Sequence, residues 1–151
     1  GLMALRIAAQ HPGCTVQGID LSPKMIAVAR QDAEEQGLAV DFRVGSIVEM
    51  PYPDGAFDMV LTNIMYHHLD LAEKQQSVVE IARVLKPGGR YVSAEFGPRA
   101  KTALQRRLAK GEYTLYPSHL TGAGFTIAHE EVGVMAWRRK VVHRVAVKQA
   151  Q

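Results

Sequence analysis

At 151 residues, 47% hydrophobic and 22% charged, the chain has the length and balance of one folded domain with its own core, not of a disordered or low-complexity segment. No apolar run reaches the roughly 20 residues that a membrane-spanning helix requires. The formal charge of +3 is too small to mark a nucleic-acid partner by itself, and the single cysteine, Cys14, rules out an internal disulfide.

The N-terminal stretch LMALRIAA lacks the basic segment before it and the small-residue site after it that a secretory signal carries, so it reads as a helix over Leu2–Gln10, closed by HPG. Cys14 falls in the strand-like run that follows and is expected to be a small buried side chain. Together with the missing disulfides this suits a reducing compartment, and a cytoplasmic location is expected. Thr15–Ile19 is a short strand. Ser22 is a good N-cap and Pro23 suits the first helical position, so a helix runs to about Gln36, with Gly37 at its C-terminal end. Met25, Ile26, Ala29 and Ala33 are expected on its buried face.

Ala39–Val44 is a second strand, MPYPDGAF a turn-rich connection, and DMVLT a third strand. Leu71, Val78, Ala82 and Leu85 recur at helical spacing between Asp70 and Lys86. LKPGG then stops the helix, and Arg90–Glu95 is a fourth strand. Pro98–Lys110 reads as a basic helix and Pro117–Gly124 as a short one. Phe125–Val132 and Val141–Val147 read as strands joined around Trp137–Lys140. Alternating strands and helices followed by a hairpin predict an α/β domain with a mainly parallel sheet and an antiparallel end.

The informative residue is Asp20. It ends an apolar strand immediately before a helix, and in open parallel sheets ligands sit at the carboxyl ends of strands. An ionised carboxylate only accepts hydrogen bonds, so it suits the two hydroxyls of a ribose. It also suits a plain helix-entry turn, and the residue alone leaves both readings open.

Three phrases in order, DLSPKMIAVAR, VDFRVGSIVEMPYPDGAFDMVLTNIMYHHL and VLKPGGRYV, resemble the class I methyltransferases that use S-adenosylmethionine. The resemblance is nearest the small-molecule branch that includes the ubiquinone and menaquinone biosynthesis methyltransferases, and it runs from about Gly1 to Val147. It implies a Rossmann-like, mainly parallel sheet in three α/β/α layers with a C-terminal antiparallel hairpin strand. It implies a single methyltransferase domain over residues 1–151 that is N-terminally truncated. It also implies S-adenosyl-L-methionine as cofactor and methyl transfer to a small-molecule acceptor.

Carried over residue by residue, the resemblance gives Asp20 the ribose hydroxyls, Leu21 an adenine face and Met25 the closure of that pocket. Ser46 and Ile47 stand at the adenine edge, where the family usually has Gly-Asp-Ala and this chain has Gly45, Ser46 and Ile47. Asn63 and Ile64 stand beside the methionine moiety and the methyl group. Gly1 stands as the last glycine of the family's Gly-rich loop. The family's first strand and the earlier glycines are then missing. Both neighbouring strands would have an open edge that invites self-association, and cofactor binding is expected to be weak.

No catalytic residue is assigned. Tyr66, His67 and His68 are candidate acid–base groups, but the His-His-Leu phrase also suits a packing role at a helix start. Adjacent histidines on a helix diverge by roughly 100°, so no metal site is expected. Arg99, Lys101, Arg106, Arg107 and Lys110 form a basic stretch, with Tyr113 and Tyr116 after it. It suits a solvated helix face, and no nucleic-acid module is recognisable, so nucleic acid is disfavoured as a partner. The competing readings are a nicotinamide-dependent oxidoreductase, which also holds ribose with a strand-end acid, and a non-catalytic methyltransferase-like fragment that only associates.

Overall fold

Local capping rules place the helices. Ser22 caps α2 (Pro23–Glu35) by accepting from the Met25 N–H at 3.3 Å, with Pro23 at the helix start as expected. Gly37, just past the end, takes φ +64°. Asp70 starts α3 (Leu71–Val84) with a reciprocal capping box: its side chain accepts from the Glu73 N–H and Glu73 accepts from the Asp70 N–H, both at 2.9 Å. The first helix, α1 (Leu2–Gln10), ends at the HPG breaker. The structure, a computed structural model, describes residues 1–96, 117–135 and 139–150. The basic stretch, Tyr113, Tyr116 and Trp137 lie outside the described residues.

The strands are β1 (Val16–Asp20), β2 (Val40–Val44), β3 (Phe57–Asn63), β4 (Leu85–Phe96), β5 (Phe125–Met135) and β6 (Arg139–Lys148). They form two sheets, β1-β2 and β3-β4-β6-β5. The β1/β2 and β3/β4 pairs are parallel, while β4/β6 and β5/β6 are antiparallel. The fold is therefore the expected α/β class, Rossmann-like, with an antiparallel C-terminal hairpin. β1 and β3 each end their sheet with one side unpaired among the described strands, the two strands beside which the sequence reading expects a missing neighbour.

The described residues divide into two compact units, Gly1–Pro51 and Tyr52–Gln151. In the first, Leu5, Ile26, Ala29, Ala33 and Phe42 make the core. Two expectations need correction here. Met25 is 48% exposed, because Ile26, Ala29 and Ala33 already fill the buried stripe of α2 and Met25 falls one position to its side. Cys14 is exposed, because it lies in the turn after α1, bonded to the His11 carbonyl, two residues before β1 starts.

Glycines permit the close packing of this unit. A Cβ on Gly18 would lie 2.7 Å from the Phe42 ring, and one on Gly1 would lie 2.6 Å from the Ala29 Cβ. Gly18→Ala is expected to destabilise by about 1–3 kcal/mol through overpacking of the Phe42 ring, read as a lower midpoint in urea at unchanged slope.

In the second unit, α3 passes directly into β4, earlier than the predicted start at Arg90. Leu85 pairs with Phe57, and regular pairing resumes at Arg90 opposite Met59. LKPGG thus forms a bulge: Gly88 has φ +75°, and a Cβ on Gly89 would lie 2.8 Å from the Lys86 carbonyl oxygen. Val78, Ile81, Val84 and Leu85 are buried, as are Tyr91, Leu120 and Phe125. The turn-rich segment before β3 is anchored by Arg83, which donates to the Tyr52 carbonyl and to Asp54, each at 2.8 Å. Residues 117–122 are helical, as expected.

Candidate functional site

Asp20 is the last residue of β1 and is exposed. Its Oδ1 accepts from the Ser22 N–H at 2.8 Å, so the helix-entry role is real. That bond occupies one of about four lone-pair positions on the carboxylate. The rest face outward on an exposed residue, at the strand end where parallel sheets receive ligands. Leu21 is 69% exposed, and Met25 is drawn into the same turn through its N–H on the Ser22 hydroxyl. Two exposed apolar side chains therefore belong to the same strand-to-helix connection as the Asp20 carboxylate.

The end of β2 joins this group. The Gly45 N–H donates to the Asp20 carbonyl at 3.1 Å, carrying the parallel ladder one step beyond β2. Ser46 and Ile47 follow, both half-buried. Ser46 Oγ accepts from the Val48 N–H at 3.3 Å, so the hydroxyl replacing the family's usual acid is partly used in holding its own turn. Gly1 caps α1, its carbonyl accepting the Leu5 N–H. The structure thus brings Asp20, Leu21, Met25 and the Gly45–Ile47 turn together, whereas Gly1 is placed by its packing on Ala29 and Phe42. A hollow in the same unit, lined by Arg30, Ala33, Leu38 and Phe42, opens elsewhere and does not include Asp20.

In the second unit, Asn63 is the exposed last residue of β3. Ile64 follows with φ +52°, a strained conformation for a β-branched residue. Its N–H donates to the Ala94 carbonyl at 2.7 Å. The next two N–H groups, of Met65 and Tyr66, both donate to Glu95 Oε1 at 3.0 Å. Glu95 is 5% exposed. A buried carboxylate therefore holds the strained turn after β3. Tyr66, His67 and His68 form a single 3-10 turn rather than a helix start.

Glu95 has no assigned role in the sequence reading, which takes it only as the end of a strand. The signal was present: RYVSAEF ends an alternating strand in a lone acid, the same pattern that draws attention to Asp20.

Tyr66 is buried, and its hydroxyl lies 3.0 Å from His119 Nδ1. Burial pushes its phenol far above the ordinary value of 10, and nearby Tyr91 and Glu95 push the same way. A group whose folded pKa is raised contributes stability that is intact below its unfolded pKa and is lost as pH rises beyond it. Stability is thus expected to fall above pH 10, and Tyr66→Phe is expected to remove part of that fall while losing the His119 bond at neutral pH. Urea midpoints measured between pH 8 and pH 11 for both proteins check this.

Among the described residues no group of three or more His, Cys, Asp or Glu side chains is arranged to hold a metal ion, and no helix is long and apolar enough to cross a membrane.

Residues 1–93 match the family model described as a methyltransferase domain. The chain is 42% identical over 103 residues to a demethylmenaquinone methyltransferase of Thermus thermophilus, covering 68% of this chain and 46% of that protein. It is 34% identical over 120 residues to a ubiquinone/menaquinone biosynthesis C-methyltransferase of Geobacter sulfurreducens, covering 77% and 44%. The chain thus spans under half the length of these curated relatives. Among solved structures, an S-adenosylmethionine-dependent methyltransferase of Methanosarcina mazei aligns with TM-score 0.81 at 21% identity, over 97% of this chain and 87% of that one. The [4+2]-cyclase SpnF aligns with TM-score 0.78 at 23% identity, over 98% and 70%. These two likenesses establish the fold, and a fold does not by itself fix an activity. The family match covers residues 1–93, more than half of the chain, and it places the chain in the class I S-adenosylmethionine-dependent methyltransferase family.

Proposed function

We propose that this chain is one methyltransferase domain, or part of one, that transfers the methyl group of S-adenosylmethionine to a small-molecule acceptor. The observation that carries the reading is Asp20 at the carboxyl end of β1, with Oδ1 alone engaged among the described residues, by the Ser22 N–H, and with exposed Leu21 and Met25 at the same strand-to-helix connection. In this reading Asp20 accepts the ribose hydroxyls, and Leu21 and Met25 cover the adenine. Ser46 and Ile47 read the adenine edge through backbone groups. Gly1 keeps the α1 start open to close approach. Asn63 and Ile64 attend the methionine end.

The cofactor supplies a methyl carbon already activated by the sulfonium charge. The protein's work is then to orient donor and acceptor and to exclude water. Relatives named for quinone and tocopherol methylation support an acceptor of the small aromatic kind.

Ligand-observed NMR titration of S-adenosylhomocysteine, with NAD in parallel, tests the reading in the weak range expected for this chain. Saturable binding of S-adenosylhomocysteine but not NAD, reduced by Asp20→Asn, is the expected result. Preference for NAD, or affinity indifferent to Asp20, would overturn it.

A second reading is association without catalysis. It rests on β1 and β3 each having a side unpaired among the described strands, since open edges recruit other strands. Concentration-dependent elution from a sizing column, with no cofactor binding, would favour it.

A further inference from the structure

Glu95 Oε1 is fully engaged, accepting both the Met65 and Tyr66 N–H groups. Glu95 Oε2 is buried and has no hydrogen-bond partner among the described residues. Leaving a carboxylate oxygen buried and unpaired is costly, and such an atom calls for an explanation. Its near neighbour is His67 Nδ1, at 3.7 Å, too long for a hydrogen bond but within reach of a small ring movement. The His67 side chain is 40% exposed, and its ring is flanked by His68 at 4.0 Å and Phe96 at 5.5 Å between centroids. Among the described residues, the titratable groups facing it are Glu95 from β4 and His68 from its own turn. Tyr66, bonded to His119, lies beside Glu95 and also feels the charge of Arg144 on β6.

We infer that Glu95 and His67 form a proton-accepting pair: Glu95 Oε2 holds His67 as the Nδ1–H tautomer, and His67 Nε2 takes the proton of the acceptor's hydroxyl. This rests on the methyltransferase reading and adds to it both a catalytic residue, His67, and a positioning residue, Glu95. In the step, the acceptor's O–H bond breaks toward Nε2. The freed oxygen pair forms the bond to the methyl carbon, and the carbon–sulfur bond breaks with its pair going to sulfur. The proton resides on the imidazolium beside the Glu95 carboxylate and leaves to water from the exposed ring. A neutral imidazole is a modest base, so it matches an acidic hydroxyl of the phenol class and not an aliphatic alcohol.

Glu95→Gln separates the two duties of the carboxylate. Its amide oxygen can still accept the Met65 and Tyr66 N–H groups, but its amide nitrogen donates to His67 Nδ1 and inverts the tautomer. Long-range proton–nitrogen NMR of the unliganded chain reads this, with the His67 signals assigned by their loss in His67→Gln. Nδ1–H in the parent and Nε2–H in Glu95→Gln are expected. Nε2–H in the parent, or no change in Glu95→Gln, would overturn the pairing. Because no cofactor is present, failure of the methyltransferase reading cannot produce that result.

The second readout is S-adenosylhomocysteine release from S-adenosylmethionine with catechol as the probe acceptor. His67→Gln is expected to lower it by about 100-fold or more, and equal release by the two proteins overturns the proton-taking role.

Discussion

Replacing Asp20 by Ala is expected to weaken S-adenosylhomocysteine binding by about 10- to 150-fold. Bonds from hydroxyls to a charged acceptor contribute about 1.5–3 kcal/mol each when sheltered. Asp20 is exposed, so water competes and about 1.5–3 kcal/mol in total is a fair sum for two, which converts to that range. Part of any effect of Asp20→Ala comes from the lost Ser22 N–H bond, which loosens the entry to α2. Asp20→Asn is the sharper variant. Its amide oxygen keeps the Ser22 contact, yet it lacks the charge and offers donors where the ribose also offers donors. Weak binding in Asp20→Asn with an unchanged thermal midpoint assigns the loss to ribose recognition. Equal loss of binding and stability in both variants would assign it to the turn.

Glu95→Ala is expected to be among the most damaging single changes to stability in the second unit. It removes the acceptor of two N–H groups, of Met65 and Tyr66, in a turn that also carries Ile64 at φ +52°. A buried donor left without a partner, as the Tyr66 N–H would be, costs about 1–3 kcal/mol; the half-buried Met65 N–H adds a smaller amount and the relief of a buried charge offsets part of this, for a net loss of about 2–4 kcal/mol. At this chain length that is a fall of about 4–16 °C in thermal midpoint. Glu95→Gln should lie within a few degrees of the parent, since its oxygen accepts the same bonds. If Glu95→Ala unfolds at the parent's midpoint, the carboxylate does not hold the turn.

The readable parts of this protein are those decided by neighbours in the chain. Ser22 with Pro23, Asp70 with Glu73, and Gly37 sit within one helical turn of the backbone groups they serve, so their positions announce α2 and α3 directly. Asp20 is legible for a related reason: strand, acid and helix start are contiguous, and the family motifs lie in register with them. Met25 departs from the expected buried face because helical spacing gives a stripe without stating its width. Packing on Phe42 uses Ile26, Ala29 and Ala33 and leaves Met25 outside. Cys14 departs from the expected burial because β1 starts two residues after it, enough to move a side chain from a sheet to a turn.

By itself, then, the sequence determined the family, the order of helices and strands, the antiparallel hairpin at the end and the candidacy of Asp20. Each of these follows from local periodicity, caps and contiguous motifs. Only the tertiary structure decided that the described strands pair as two sheets, that LKPGG is a bulge within β4, and that Glu95 reaches back about 30 residues to the turn after β3. The physical reason is that strand pairing and buried hydrogen bonds join groups far apart in the chain. No local pattern states which distant N–H a buried carboxylate will meet.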